Sequence, residues 1–230
     1  MKNYRHGPLA NEAACADFLC ALRRGTGEVL FLGEDAALLR ETASGIVLFA
    51  ADSAQGARGA LEVLPDAPLY VAHGEICKAL LCEKTHRAPG MACTQAVYRK
   101  KQPPAMPGHV EVRVLDESYA QVVHENYHSM DDRAYIERRV KSGAMLGAFC
   151  AGELAGFIGT HEEGSIGLLE VFAAFRRHGV GYALECAAIR RELEAGGLPY
   201  CQVVLGNEAS LRLQQKLGFE FAKEPLYWFF

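Results

Sequence analysis

The segment Arg176-Arg177-His178-Gly179-Val180-Gly181-Tyr182-Ala183 constrains this chain more than any other. It follows Ile166-Gly167-Leu168-Leu169-Glu170-Val171-Phe172, an apolar run of strand length. After it, Tyr182, Cys186, Ile189 and Leu193 recur at helical spacing, with Glu185, Arg190, Glu192 and Glu194 placed off that stripe. A basic, glycine-bearing turn therefore leads from a strand into a helix. The first N–H groups of a helix have no partner within it, and the helix dipole is positive there, so such a turn suits phosphate. Glycines let backbone approach a pyrophosphate, and arginines add charge-assisted contacts.

The rest of the chain bounds what surrounds this turn. At 230 residues it can bury a sizeable core in one or two domains. A net charge of −4 gives no global field for nucleic acid or an anionic membrane. Residues 1–108 hold 12 Lys and Arg against 11 Asp and Glu, while residues 109–230 hold 12 against 17. The acidic excess thus surrounds the basic turn and leans towards cationic substrates, although acidic surfaces are common without that role. Eight cysteines are scattered without a Cys-x-x-Cys pair, so neither a metal site nor a disulfide scaffold is expected. No apolar run follows Met1-Lys2-Asn3-Tyr4-Arg5-His6, so a signal peptide and a membrane span are not expected and a reduced cytoplasm is.

Pattern reading gives an α/β order for residues 1–99. A helix spans Asn11 to Arg24, closed by Gly25. Val29–Leu32 and Ile46–Phe49 read as strands, with a short helical segment near Asp35–Arg40 between them. Leu69–Ala72 is a further strand, followed by a helix carrying Ile76, Cys77, Leu80 and Leu81, and Ala92–Tyr98 is a fourth strand. Residues 100–108 contain Pro103, Pro104 and Pro107, which suit neither a helix interior nor a central strand, and read as a linker. Beyond it come a strand at Val110–Leu115, a helix capped by Asp116 or Ser118, and a helix begun by Asp131 or Asp132. A hairpin turning at Ala151-Gly152-Glu153 follows, then the central strand, the long helix, a strand at Tyr200–Leu205, a helix from Asn207 to Leu217 and two terminal strands.

Two motifs carry a resemblance. Arg176-Arg177-His178-Gly179-Val180-Gly181 matches Gln/Arg-x-x-Gly-x-Gly/Ala, and Asn207-Glu208-Ala209-Ser210 precedes Leu217-Gly218-Phe219. At this separation and in this order of elements, residues 109–230 resemble the GNAT superfamily of acyl-CoA-dependent N-acetyltransferases. Within it the chain is similar to the branch of glycine N-acyltransferase-like proteins, whose N-terminal α/β half lacks the cofactor motif. The fold expected is α/β (α+β), with a mixed, mostly antiparallel, splayed sheet flanked by helices and preceded by a smaller α/β domain. The resemblance implies acetyl-CoA or another acyl-CoA, with the pyrophosphate on Arg176, Arg177, His178, Gly179, Val180, Gly181 and Tyr182. It implies the pantetheine along Leu169, Glu170 and Val171, with Asn207 and Ser210 at the mouth of the splay. It implies a small-molecule or peptide amine as partner, and a homodimer is compatible with it.

The acid–base positions depart from the family's usual residues. The family often places a Glu five positions before the motif Asn and a Tyr in the next helix, where this chain has Gln202 and Gln214. Neither exchanges a proton near neutral pH. Proximity alone removes about 7–11 kcal/mol of barrier in favourable cases. Substitute bases are His161 and Glu163, with Glu162 beside them, at the turn before the central strand, although charged hairpin turns are also ordinary solvated positions. Glu170 alternates away from the thioester face unless a bulge resets it. Tyr127 and His128, with His124 nearby, fall where an acceptor would bind, and Tyr227 or Trp228 can wall the same place; core packing is the competing account for each. Two functional readings remain: an N-acyltransferase, and a non-catalytic acyl-CoA-binding or sensing module. A P-loop or dinucleotide fold has no supporting Gly-Lys-Ser/Thr or Gly-x-Gly-x-x-Gly.

Overall fold

A computed structural model describes residues 6–129 and 131–230. The N-terminal half runs α1 (Ala16–Arg24), β1 (Gly27–Leu32), β2 (Ala36–Glu41), β3 (Val47–Ala51), α2 (Ala54–Leu61), β4 (Tyr70–His73), α3 (Gly74–Thr85) and β5 (Met91–Val97). The C-terminal half runs β6 (Glu111–Val114), α4 (Ala120–Asn126), α5 (Arg133–Lys141), β7 (Met145–Cys150), β8 (Glu153–Thr160) and β9 (Ile166–Val171). It continues through α6 (Val180–Glu194), β10 (Tyr200–Val204), α7 (Glu208–Leu217), β11 (Glu220–Phe221) and β12 (Leu226–Phe229). Residues 98–110 form no helix or strand.

Local chemistry explains most boundaries. Gly25 and Gly218 close α1 and α7 in the left-handed conformation, as glycine C-caps do. The Asp132 carboxylate accepts from the Tyr135 N–H at the start of α5, and the Asn207 side-chain oxygen accepts from the Ser210 N–H at the start of α7. One expected element is overturned. Residues 36–41 form strand β2 rather than a helical segment, paired antiparallel with both β1 and β3. Ala36, Ala37, Leu38 and Leu39 are all buried, so both faces of the strand are covered. A short, wholly apolar run has no period to separate helix from strand, and pairing decides it here. The helix α2 lies in a stretch to which pattern reading assigned no element.

The strands form one sheet in the order β1-β2-β3-β4-β12-β5-β10-β9-β8-β7-β6, with β11 also on β5. Only β3–β4 and β9–β10 are parallel, and each pair is bridged by a helix crossover, α2 and α6 respectively. The middle of the sheet alternates between the halves. Strand β12, from the end of the chain, pairs with β4 of the N-terminal half. Strand β5, from the N-terminal half, pairs with β10. The two exchanged strands pair with each other. Packing follows the exchange: Tyr227 and Phe229 bury among Leu38, Phe49 and Tyr70, while Ala96 buries among Ile189, Cys201 and Phe219.

The strand pair that matters most is barely paired. Cys201 opposite Ile166 is the one register match between β10 and β9, so the two strands part beyond that point. On its other edge β9 carries a bulge against β8, where Leu168 adopts φ +52° and the register shifts. The bulge breaks the simple alternation by which Glu170 was expected to face away.

Candidate active site

The parted strands open a cavity of about 1180 Å³. Leu169, Glu170 and Val171 line it from β9, and Gln202 and Val203 line it from β10. At the far end of β9, the chain passes through Arg176 and Arg177 into α6. Gly179 stands at the helix N-terminus with φ +80°, and no side chain caps it. Arg177 is also left-handed, at φ +68°. A Cβ on Gly179 would lie 3.8 Å from Pro107, so space remains and the conformation is what selects glycine. Residues 176 to 182 line the cavity except His178, whose carbonyl instead accepts from the His109 ring at 2.9 Å. Asn207 and Ser210 line it from α7. Arg176 donates to the Val171 carbonyl at 3.0 Å and to the Glu170 carboxylate at 3.2 Å. Glu170 is therefore a half-buried ion-pair partner on the cavity wall.

At the other end of β9, Asp132, Glu162 and Glu163 line the cavity together with Tyr135 and His161. Arginines stand behind them: Arg138 pairs with Glu162 at 3.5 Å, and Arg139 donates to the Thr160 carbonyl at 2.8 Å. Across the six residues of β9, the two ends lie about 17 Å apart. Arg176, Arg177 and Lys216 line the cavity towards one end, with Glu170 paired to Arg176, and Asp132, Glu162 and Glu163 line it towards the other. Among the expected acceptor residues, Tyr127 lines the cavity and packs edge-on to Phe157, with ring centres 6.5 Å apart. His128 is exposed and outside the lining, and His124 pairs with Asp131 at 3.2 Å, also outside it. Trp228 lines the cavity, while Tyr227 faces the opposite way and hydrogen-bonds Glu75.

His161 and Glu163 come together with a partner that the pattern had not flagged. The Tyr135 hydroxyl and His161 Nδ1 are 2.7 Å apart, and the rings stack with centres 6.0 Å apart. Burial pulls the imidazole below its ordinary range, against the opposing pull of Glu163, so the ring is neutral near pH 7. Burial likewise pushes the Tyr135 phenol up, so both members of the pair are neutral. The opposite ring nitrogen lies over β9 at Gly167, where a Cβ would stand 2.6 Å from Nε2. Glu163 is buried and its carboxylate accepts from the Ser165 hydroxyl at 2.5 Å.

The two glutamines have physical reasons to be glutamines. Trp228 donates to Gln202 Oε1 at 2.8 Å, and Gln202 Nε2 donates to Gln95 Oε1 at 3.0 Å. Gln95 in turn donates to the Ala14 carbonyl at 2.7 Å and to Asp17 at 3.2 Å, and Asp17 meets His73 at 2.9 Å. Position 202 must therefore accept from an indole and donate to a carbonyl oxygen. An amide does both, and a carboxylate would face the Gln95 oxygen without a proton. Gln214 donates at 2.6 Å to Glu185, a residue placed by pattern among the polar positions of its helix. That placement is corrected here: Glu185 is only 2% exposed and lines the cavity. A charge inside Ala183-Leu184-Glu185-Cys186-Ala187-Ala188-Ile189 was the available signal.

Comparison with known proteins bears on the fold. Residues 143–229 match the family model described as FR47-like protein. No protein of curated function matches the sequence. Among solved structures, a Drosophila protein is similar at a TM-score of 0.61 and 20% identity, over 84% of this chain and 73% of that one. A GCN5-related N-acetyltransferase from Kribbella flavida is similar at a TM-score of 0.57 and 13% identity, over 94% and 93%. A tandem GNAT protein from the clavulanic acid biosynthesis pathway, in a form without AcCoA, is similar at 0.51 and 16%, over 97% and 89%. The chain has a mixed α/β, GNAT-like fold, with a mostly antiparallel sheet flanked by helices.

Proposed function

We propose that this protein is an acyl-CoA-dependent N-acyltransferase acting on a small-molecule or peptide amine, through direct attack in a ternary complex. The observation that carries this reading is one cavity along a splayed, bulged β9 with a basic, uncapped helix N-terminus at one end. Acyl-CoA, the donor substrate, brings an activated thioester and an anionic pyrophosphate. The uncapped N-terminus of α6 with Arg176 and Arg177 suits the pyrophosphate, and the free edges of β9 and β10 suit the pantetheine arm. Asp132, Glu162 and Glu163 attract a cationic amine to the other end.

His161 is the base in this scheme. With Nδ1–H donating to the Tyr135 oxygen, Nε2 keeps its lone pair towards β9 and can take the proton that the attacking nitrogen loses. The charge of Glu163 favours the imidazolium that results. Burial holds His161 below the ordinary imidazole range, so its basic form is present throughout neutral pH.

The test is thiol release from acetyl-CoA and longer acyl-CoAs across an amine panel, with the acylated amine identified by mass. Turnover is expected, with H161Q lowering kcat by about 100-fold or more. Tight CoA binding without turnover on any amine would instead support an acyl-CoA-binding module. The engagement of Gln202 and Gln214 in interior hydrogen bonds is the observation that favours that second reading.

A further inference from the structure

We propose that Glu185, oriented by Gln214, donates the proton to the thiolate that leaves when the acyl–sulfur bond breaks; this rests on the acyl-transfer reading above. Glu185 projects from α6 into the angle between α7 and β10. Its Oε1 accepts from Gln214 Nε2, but its Oε2 has no partner although it is buried. Gln214 Oε1 is likewise buried and without a partner. Leaving such atoms unmade costs about 1–3 kcal/mol each, and both residues line the cavity, so a ligand atom is the natural complement.

The position within the cavity fits the sulfur. Cys201 is the β10 residue opposite Ile166, at the vertex of the splay, and the charge of Glu185 acts on the Cys201 thiol. A thioester reaching the Leu168 bulge from the Arg176 end arrives beside this vertex.

Burial raises the Glu185 carboxyl to about 7, offset in part by the Gln214 hydrogen bond. No other charged group among the described residues bears on it; the titratable neighbours are Cys201 on β10 and Cys186 on its own helix. The thiol and phenol groups on the cavity are poorly matched to neutral pH. The thiol of Cys201 lies well above its usual range through burial, and the phenols of Tyr127, Tyr135 and Tyr182 are all raised.

The bound amine first releases its extra proton to solvent; the neutral nitrogen then bonds to the acyl carbon and loses a second proton to His161. The carbon–sulfur bond breaks, and its electron pair takes the proton from Glu185 Oε2. The products are amide and free CoA thiol, and solvent returns the protons to their starting places.

The test compares kcat–pH profiles of wild type, E185Q and Q214L, with ¹³C NMR of the side-chain carboxyls in the presence of CoA or desulfo-CoA. Wild-type kcat should fall as pH rises through about 7. E185Q should still bind CoA, lose that falling limb and turn over about 100-fold more slowly. Q214L should keep the limb but move it to higher pH, because the amide no longer favours the carboxylate. The carboxyl resonance missing from E185Q should move more with CoA than with desulfo-CoA. E185Q with wild-type kcat and profile, or equal shifts with the two ligands, overturns the donor role and leaves acyl transfer standing. Wild type that binds CoA without turnover overturns both.

Discussion

Glu185 and His161 are ionisable side chains that the fold holds neutral, and each makes stability depend on pH with its own sign. Glu185 rises from an ordinary 4.5 to about 7, so the folded state keeps a proton that the unfolded chain has lost. Its contribution is fully present below pH 4.5 and is lost as pH rises to about 7, a change of about 3 kcal/mol. Denaturant titrations should show E185Q gaining on wild type by about that amount between pH 5 and pH 8; a constant difference would contradict the burial of the charge. His161 works in the opposite direction, with stability present above the ordinary imidazole range and lost as pH falls below it. Gly179 gives a second expectation. A valine there must hold φ +80° at a cost of about 1–2 kcal/mol or distort the turn, so G179V should weaken CoA binding by about tenfold in calorimetry. Unchanged affinity would remove the turn from the site. Arg176, Gly179 and Asn207 were legible because turn and cap chemistry is local in sequence. Glu185 was not, since its burial comes from α7 and β10 closing over it, and Tyr135 meets His161 across 26 positions.

Among the elements, the apolar runs of β3 and β9 were legible as strands, while the Ala- and Gly-rich helix α2 and strand β2 were not. Helix α1 and strand β9 stand close to where pattern placed them. Strand β2 is apolar on both faces, and only its pairing with β1 and β3 distinguishes it from a buried helix. The bulge at Leu168 left no sequence mark, because a leucine at φ +52° is chosen by the register between β8 and β9. The exchange of β5 and β12 is likewise invisible along the chain, since each is an ordinary apolar strand whose partners are remote. It carries a direct expectation. Residues 109–230 expressed alone would leave β10 without β5 and would carry β12 without β4. Such a fragment has an unpaired apolar edge and should aggregate or remain poorly protected in hydrogen exchange. A monomeric, fully protected fragment would show that the exchange is dispensable.

For the molecule as a whole, the N-terminal half is part of the site's construction even though it carries no phosphate turn of its own kind. Ile46, Leu69, Met91 and Cys93 line the same cavity as the basic turn, and the hydrogen bonds from Trp228 through Gln202 and Gln95 to Asp17 tie the two halves across the exchanged strands. The cavity is thus lined by both halves of the chain. In the proposed complex, one splayed cavity holds the acyl donor with its sulfur beside Glu185. A crystal structure of the protein with CoA tests this most directly. The pyrophosphate is expected against the backbone of residues 179–182 and the sulfur between the Leu168 bulge and Glu185. A CoA molecule seated elsewhere, or one whose sulfur points away from the vertex at Cys201, would contradict it.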